Sequence, residues 1–314
     1  VIFSSHNKVY AKLIGVSFIW GATYIAAKIV TTSIPPLVAA TLRFSIAAIL
    51  LVLVSYKYDK GLPKLNKNSA LTTLGLGLSG IFLYNIFFFS ALTKLEAGRS
   101  SLFVALSPAV TALAASFLYK EHLGPKRWLG VLIAFLGALI ILTKGDLLSL
   151  FSDAQTSFGT GELMMMGAVV CWTLYTLIGR KASTDLSSIA TTTYAVLWGL
   201  LFLTFFSLQD LMSMDWGLLT LKIWVSLVFM GAFATVLAFV WFLDGVRQIG
   251  ASRTAVFNNL VPVFGVLLAS SLIGETILAS MVIGGAIGIF GVTLTNSPQK
   301  AKPVPSATLT ESSP

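Results

Sequence analysis

The sequence predicts an all-α integral membrane protein with ten transmembrane helices arranged as two inverted five-helix repeats. Three observations lead there. The first is composition: of 314 residues, 56% are hydrophobic and only 11% charged, with a mean hydropathy of +0.88. A soluble domain carries about a quarter charged residues, so this chain belongs in a bilayer. The second is length: apolar runs that match a hydrocarbon core, about 20 residues each, recur along the whole chain. The third is a duplication. Leu95–Glu121 returns as Ile249–Glu275, pairing Ala97 with Ala251, Arg99 with Arg253, Pro108 with Pro262 and Glu121 with Glu275 at a constant offset of 154. A period that long is a copied half-protein, not a solenoid unit.

The ten runs are 11–31, 36–56, 70–92, 99–119, 125–143, 161–182, 188–208, 219–244, 253–273 and 277–297. Breakers separate them: Pro35-Pro36, Gly61 and Pro63, Gly98, Gly124-Pro125, and Gly250. The first repeat therefore spans 11–143 and the second 161–297. Between them lies a polar connecting loop, 144–160, and after them a tail, 298–314, rich in Pro, Ser, Thr and Lys. Such a tail cannot bury apolar surface and reads as disordered. The first run is a full span with no small-residue cleavage site after it, so it reads as a span and not as a cleaved signal. Cys171 is the single cysteine, so no intrachain disulfide forms.

Orientation follows from the basic residues. With an even number of spans both termini share one side, and that side holds 15 Lys and Arg against 5 on the other, with Arg43 left inside the second span. The positive-inside rule then puts both termini in the cytoplasm and loop 144–160 outside. The same bias accounts for the net charge of +9 without a nucleic-acid partner. Five spans per half is an odd number, so the halves insert in opposite directions. Inverted halves of near-equal energy are an architecture of transporters, which exchange access around a midplane site.

The first span reads FIWGATYIAAKI and the second LVAATLRFSIAAILL. The fourth carries L-x-P-A and ends in Lys120-Glu121, and the ninth carries N-x-V-P-V and ends in Gly274-Glu275. With the five-plus-five duplication, the chain resembles the drug/metabolite transporter superfamily in its EamA-like ten-helix branch, over residues 11–297. The resemblance implies export or exchange of a small metabolite, often an amino acid, across a bacterial inner or comparable plasma membrane. It also implies a central cavity lined by spans 1, 3, 4, 6, 8 and 9.

Candidate site residues are the polar and amphipathic side chains near mid-depth. Trp20 and Tyr24 have near-counterparts in Trp172 and Tyr175. A central indole needs a partner for its N–H, supplied either by a polar cavity or by a carbonyl in the core. Tyr84 and Asn85 align with Ala238 and Phe239, while Asn258 and Asn259 align with Val104 and Ala105. A buried amide needs a partner, and interhelical glue and substrate contact are the two readings. Pro108 and Pro262 lie about ten residues into their spans, where each is expected to remove a backbone hydrogen bond and kink its helix. They read as packing kinks or as gating bends.

Arg43 is about seven residues from the outer end of its span. Snorkelling to that interface is one reading, and an anion or carboxylate contact or a structural pairing with a helix end is the other; the R-F pattern of the resemblance implies a structural role here. Glu121 and Glu275 each precede the next span and read as caps for its first turn, or else as partners in a gating salt bridge. No Asp or Glu falls in the middle of a span. Proton- and sodium-driven carriers commonly keep one there, as the related four-helix small multidrug carriers do. The absence favours facilitated transport, exchange, or coupling through an acid at a helix end.

No metal, cofactor or catalytic motif appears: there is no H-E-x-x-H, no G-x-S-x-G, no Walker loop and no Cys/His cluster. The leading reading is a multi-pass cell-membrane transporter of an amino acid or related zwitterionic or aromatic compound, a monomer or homodimer whose partners are its small-molecule substrate and the bilayer. An exchanger of phosphorylated sugars or nucleotide-sugars ranks below it, because such anions need several buried Lys or Arg. An intramembrane scaffold is the non-transport alternative.

Overall fold

The computed structural model describes residues 2–104, 106–118, 124–143, 145, 159–182, 186–249 and 257–295. In order these form α1 (Ile2–Thr31), α2 (Pro36–Tyr58), α3 (Lys67–Leu76), a π-helical segment (Gly77–Leu83), α4 (Tyr84–Lys94), α5 (Ala97–Val104), α6 (Ser107–Leu118) and α7 (Pro125–Leu142). Then come α8 (Thr160–Ala182), α9 (Ser188–Ser213), a short 3₁₀ turn (Trp216–Leu218), α10 (Leu221–Val228), a second π segment (Phe229–Leu237), α11 (Ala238–Ile249), α12 (Leu260–Ile273) and α13 (Ala279–Thr295). No strand occurs among the described residues. Among the described residues six stretches are long and apolar enough to cross a bilayer, and α12 and α13 are apolar but shorter. Outward-facing Ile49, Leu53, Phe205, Val282 and Phe290 are exposed, as surfaces that meet lipid are.

Local chemistry sets the helix ends. Pro36 and Pro125 stand at first helical positions, where a missing N–H loses nothing. Asn66 and Ser187 cap α3 and α9, their side-chain oxygens accepting from Ser69 N–H and Ala190 N–H. Gly274 ends α12 in the left-handed conformation at φ 70°, which glycine adopts without steric cost. Within the spans, Ser and Thr hydroxyls bond back to their own helix, for example Thr41 to Leu37 O and Thr73 to Ser69 O. A hydroxyl satisfied in this way tolerates an apolar environment.

The structure corrects two expectations about backbone. The fourth span is not one kinked helix: α5 ends at Val104 and α6 starts at Ser107. Pro108 is the second residue of α6, and Pro262 the third of α12 after a turn at Asn258-Asn259. Both prolines therefore sit in first turns, where the missing donor is tolerated, instead of bending a continuous helix. The Asn258 carbonyl, which lacks an N–H from Pro262 four residues on, accepts Val261 N–H at 3.1 Å.

The π segments were not foreseen. They occupy equivalent places under the 154-residue offset, 77–83 and 229–237. Each carries a glycine where backbones meet. A Cβ on Gly77 would lie 2.7 Å from Ala195 O, and one on Gly231 would lie 2.8 Å from Ile46 Cγ2. The first segment thus packs on α9 and the second on α2. Elsewhere α2 packs on α9, α1 on α12 and α11, α8 on α4 and α6, and α7 on α13. The last pair uses the small-residue faces: a Cβ on Gly137 would sit 2.5 Å from Gly284 O, and one on Gly291 would sit 2.3 Å from Ala134 N. Small residues let membrane helices approach this closely.

Candidate functional site

Spacing puts the predicted aromatics on single helix faces. Trp20 and Tyr24 are four apart on α1, Trp172 and Tyr175 three apart on α8, and Tyr84 shares its α4 face with Phe88. Packing then joins the three faces. Tyr84 stacks on Phe88 with centroids 5.7 Å apart, and Phe88 meets Tyr24 edge-on at 5.2 Å. Trp172 stacks on Tyr175 at 5.2 Å and touches Tyr84 at 5.5 Å and Trp20 at 6.5 Å. All five predicted aromatics therefore belong to one cluster. Phe239 and Phe242 of α11 complete it against Trp20, at 5.8 and 5.4 Å. Neither phenylalanine was predicted as a site residue, because an apolar ring in an apolar span carries no distinguishing signal.

The Trp20 indole has a carbonyl partner: Nε1 donates to Ala234 O at 3.0 Å, in the second π segment. Tyr24 is fully covered, and Trp20, Tyr84, Trp172 and Tyr175 are partly buried.

Beside the rings lies a small polar centre. Arg43 does not snorkel. Its guanidinium is buried, with Nη1 donating to Asn85 Oδ1 and Nη2 to Thr235 Oγ1, both at 3.4 Å. Its charge also lies over the Phe44 ring, 4.9 Å from the centroid. Asn85 Nδ2 donates to Ile81 O at 2.8 Å, and the Thr235 hydroxyl donates to Met230 O at 2.9 Å, five residues back. Both π segments thus feed this centre. Thr235 was missed; its repeat-equivalent is Ile81, and that polar-for-apolar exchange was the available signal.

Asn258 and Asn259 form the turn that opens α12, and the neighbouring Phe257 carbonyl accepts from Ser17 Oγ of α1 at 2.7 Å. Asn259 is buried, and Asn258 Oδ1 is buried without a hydrogen-bond partner.

At one end of the bundle, charges tie spans together. Glu275 does not cap the helix that follows it. Oε1 accepts Ala97 N–H at 2.7 Å and Oε2 accepts Gly98 N–H at 2.8 Å, so it caps α5. Arg99 pairs with Glu162 at 3.0 Å. Lys28, in the last turn of α1, donates to Leu92 O and Leu95 O, both at 2.7 Å, at the C-terminal end of α4. A cation suits that negative helix end. A cleft of about 340 Å³ opens beside Lys28, lined also by Thr32, Ser33, Thr220 and Lys222. Glu121, most of loop 144–160 and the tail 298–314 lie outside the described residues.

Comparison with known proteins gives a consistent picture. The family model described as "EamA-like transporter family" matches residues 7–143 and again 159–297. "Uncharacterized transporter YyaM" of Bacillus subtilis (strain 168) is 32% identical over 289 residues, covering 91% of this chain and 93% of that protein. "Uncharacterized transporter YetK" of the same organism is 27% identical over 300 residues, covering 94% and 88%. An "Uncharacterized transporter" of Archaeoglobus fulgidus is 29% identical over 294 residues, covering 94% and 99%. A solved crystal structure superposes with a TM-score of 0.64 at 20% identity, covering 92% of this chain and 97% of the other, and so shares the fold.

Proposed function

We propose a function from one premise: this chain belongs to the EamA-like transporter family. It is a multi-pass membrane transporter. Our reading is that it moves a small metabolite, an amino acid or a related zwitterionic or aromatic compound, by export or facilitated exchange. The observation that carries this is the convergence of α1, α4, α8 and α11 on one aromatic cluster beside Arg43, Asn85 and Thr235. Aromatic faces with a few fixed polar groups suit a small amphipathic ligand. The phosphosugar reading stays second, because Arg43 is the one guanidinium among the described residues at this centre.

The mechanism we infer is alternating access between two inverted five-helix halves, with both termini cytoplasmic. Two facts support it. One family model fits both 7–143 and 159–297. The helix contacts also exchange under the repeat: α1 on α11 mirrors α8 on α4, and the π segments mirror each other on α9 and α2. Glu275 on α5 and Arg99 on Glu162 then join opposite halves at one end, the contacts that a closed end requires.

The test is uptake of labelled L-tryptophan and L-phenylalanine into proteoliposomes, with and without a pH gradient. Movement down the substrate gradient without an imposed ion gradient is expected. Strict dependence on a proton or sodium gradient would contradict the facilitated mechanism, and no movement of either amino acid would remove the aromatic substrate class.

A further inference from the structure

We propose that Arg43 anchors a carboxylate on the transported molecule, which has an apolar or aromatic body at its other pole. The proposal rests on the transport reading above and names the chemistry its site selects. Arg43 is 7% exposed on the eighth residue of α2. Its partners are an amide, a hydroxyl and a ring, all neutral. Both hydrogen bonds are 3.4 Å, at the long limit for N–H···O contacts, whose usual length is about 2.9–3.0 Å. Nε has no partner. A guanidinium presents five donors, so most of its capacity is unused. Among the described residues no carboxylate is paired with it; the ion pair of Arg99 with Glu162 is elsewhere. A buried cation without a counter-ion is among the most costly groups a fold can retain.

The duplicated half argues that packing does not require this charge. Under the 154-residue offset Arg43 corresponds to Leu197, Asn85 to Phe239 and Thr235 to Ile81. Each member of the polar set has an apolar counterpart, and those counterparts pack: Ile81 lies against Gly199 of α9, and Phe239 against Trp20. The centre thus holds a single cation, at a position where the other repeat has leucine, beside a cluster of rings drawn from both halves. A planar carboxylate matches the guanidinium fork, and the ring of the same molecule matches Trp20, Trp172 and Phe239. The polarity of the substrate follows from the one cation set beside these rings.

The probes are 3-phenylpropanoate, its primary amide and phenethylamine, titrated into purified protein in detergent and read by tryptophan fluorescence. The carboxylate is expected to bind on the order of tenfold or more tighter than the amide, as a charged hydrogen-bonded pair implies. Arg43→Gln should remove that preference. Asn85→Asp is the second variant, because its carboxylate would stand where Oδ1 already meets Nη1. It should keep the fold, satisfy the guanidinium internally and weaken 3-phenylpropanoate by a similar factor. Equal binding of acid and amide, unchanged carboxylate affinity in Asn85→Asp, or no binding of the acid at millimolar concentration overturns the assignment. Failure of the transport reading looks different: the acid binds with Arg43 dependence but does not cross proteoliposomes. Transport of phenethylamine as fast as the acid would sink the carboxylate site and leave transport standing.

Discussion

Removing the Glu275 carboxylate tests the inter-span packing most directly. Its two oxygens accept the first two N–H groups of α5 at 2.7 and 2.8 Å. No intrahelical bond can satisfy those donors, because a helix leaves its first four N–H groups open. A hydrogen bond to a charged group contributes about 1.5–3 kcal/mol, and an anion at a helix N-terminus adds about 0.3–1 kcal/mol. Glu275 is only partly buried, so the lower ends apply. Glu275→Ala then costs about 3 kcal/mol, and Glu275→Gln, which keeps one acceptor but turns an NH₂ group toward the other donor, about 2 kcal/mol. The assay is reversible SDS-induced unfolding in mixed micelles, followed by tryptophan fluorescence, with exposed Thr276→Ala as the neighbouring control. If Glu275→Ala unfolds within about 0.5 kcal/mol of the wild type, the level of an ordinary surface change, the carboxylate is not a cap and the reasoning fails.

Three further outcomes follow from the same geometry. Gly137→Ala forces a methyl group within 2.5 Å of Gly284 O and Gly288 N, and the overpacking should cost about 1–3 kcal/mol in the same titration; an unchanged midpoint would mean α7 and α13 are not held that close. Trp20→Phe keeps the ring but strands the Ala234 carbonyl, which should cost about 1–2 kcal/mol, whereas a loss confined to ligand binding would place the indole N–H on the substrate instead. For topology, Asn68 and Lys222 are exposed and equivalent under the repeat offset. In a Cys171→Ser background, cysteines at these two positions should react with an impermeant thiol reagent from opposite sides, Asn68→Cys from the cytoplasm and Lys222→Cys from outside. Labelling from the same side would defeat the inverted arrangement.

The sequence by itself determined where helices form and which side chains share a face. A run of about 20 apolar residues has few alternatives in a bilayer, since every backbone group must be bonded within the segment. Three- and four-residue spacing then placed Trp20 with Tyr24 and Trp172 with Tyr175 without any tertiary knowledge. The four-residue spacing of Gly284 and Gly288, matched by Gly130 and Ala134, likewise marks in the sequence the small faces that meet between α7 and α13. Only the tertiary structure decided what each polar group meets. Glu275 meets α5 and not its own neighbour, Lys28 meets carbonyls at the end of α4, Trp20 meets Ala234 O, and Arg43 stays inside between Asn85 and Thr235. Most of these partners are backbone groups, present at every residue and so invisible in a pattern of side chains. The broken fourth span and the π segments also escaped, because hydropathy records how apolar a stretch is and not how its backbone is wound. Periodicity is a local property of the chain. A buried charge takes its partner from whichever helix packs against it, here from residues 42 and 192 positions away for Arg43.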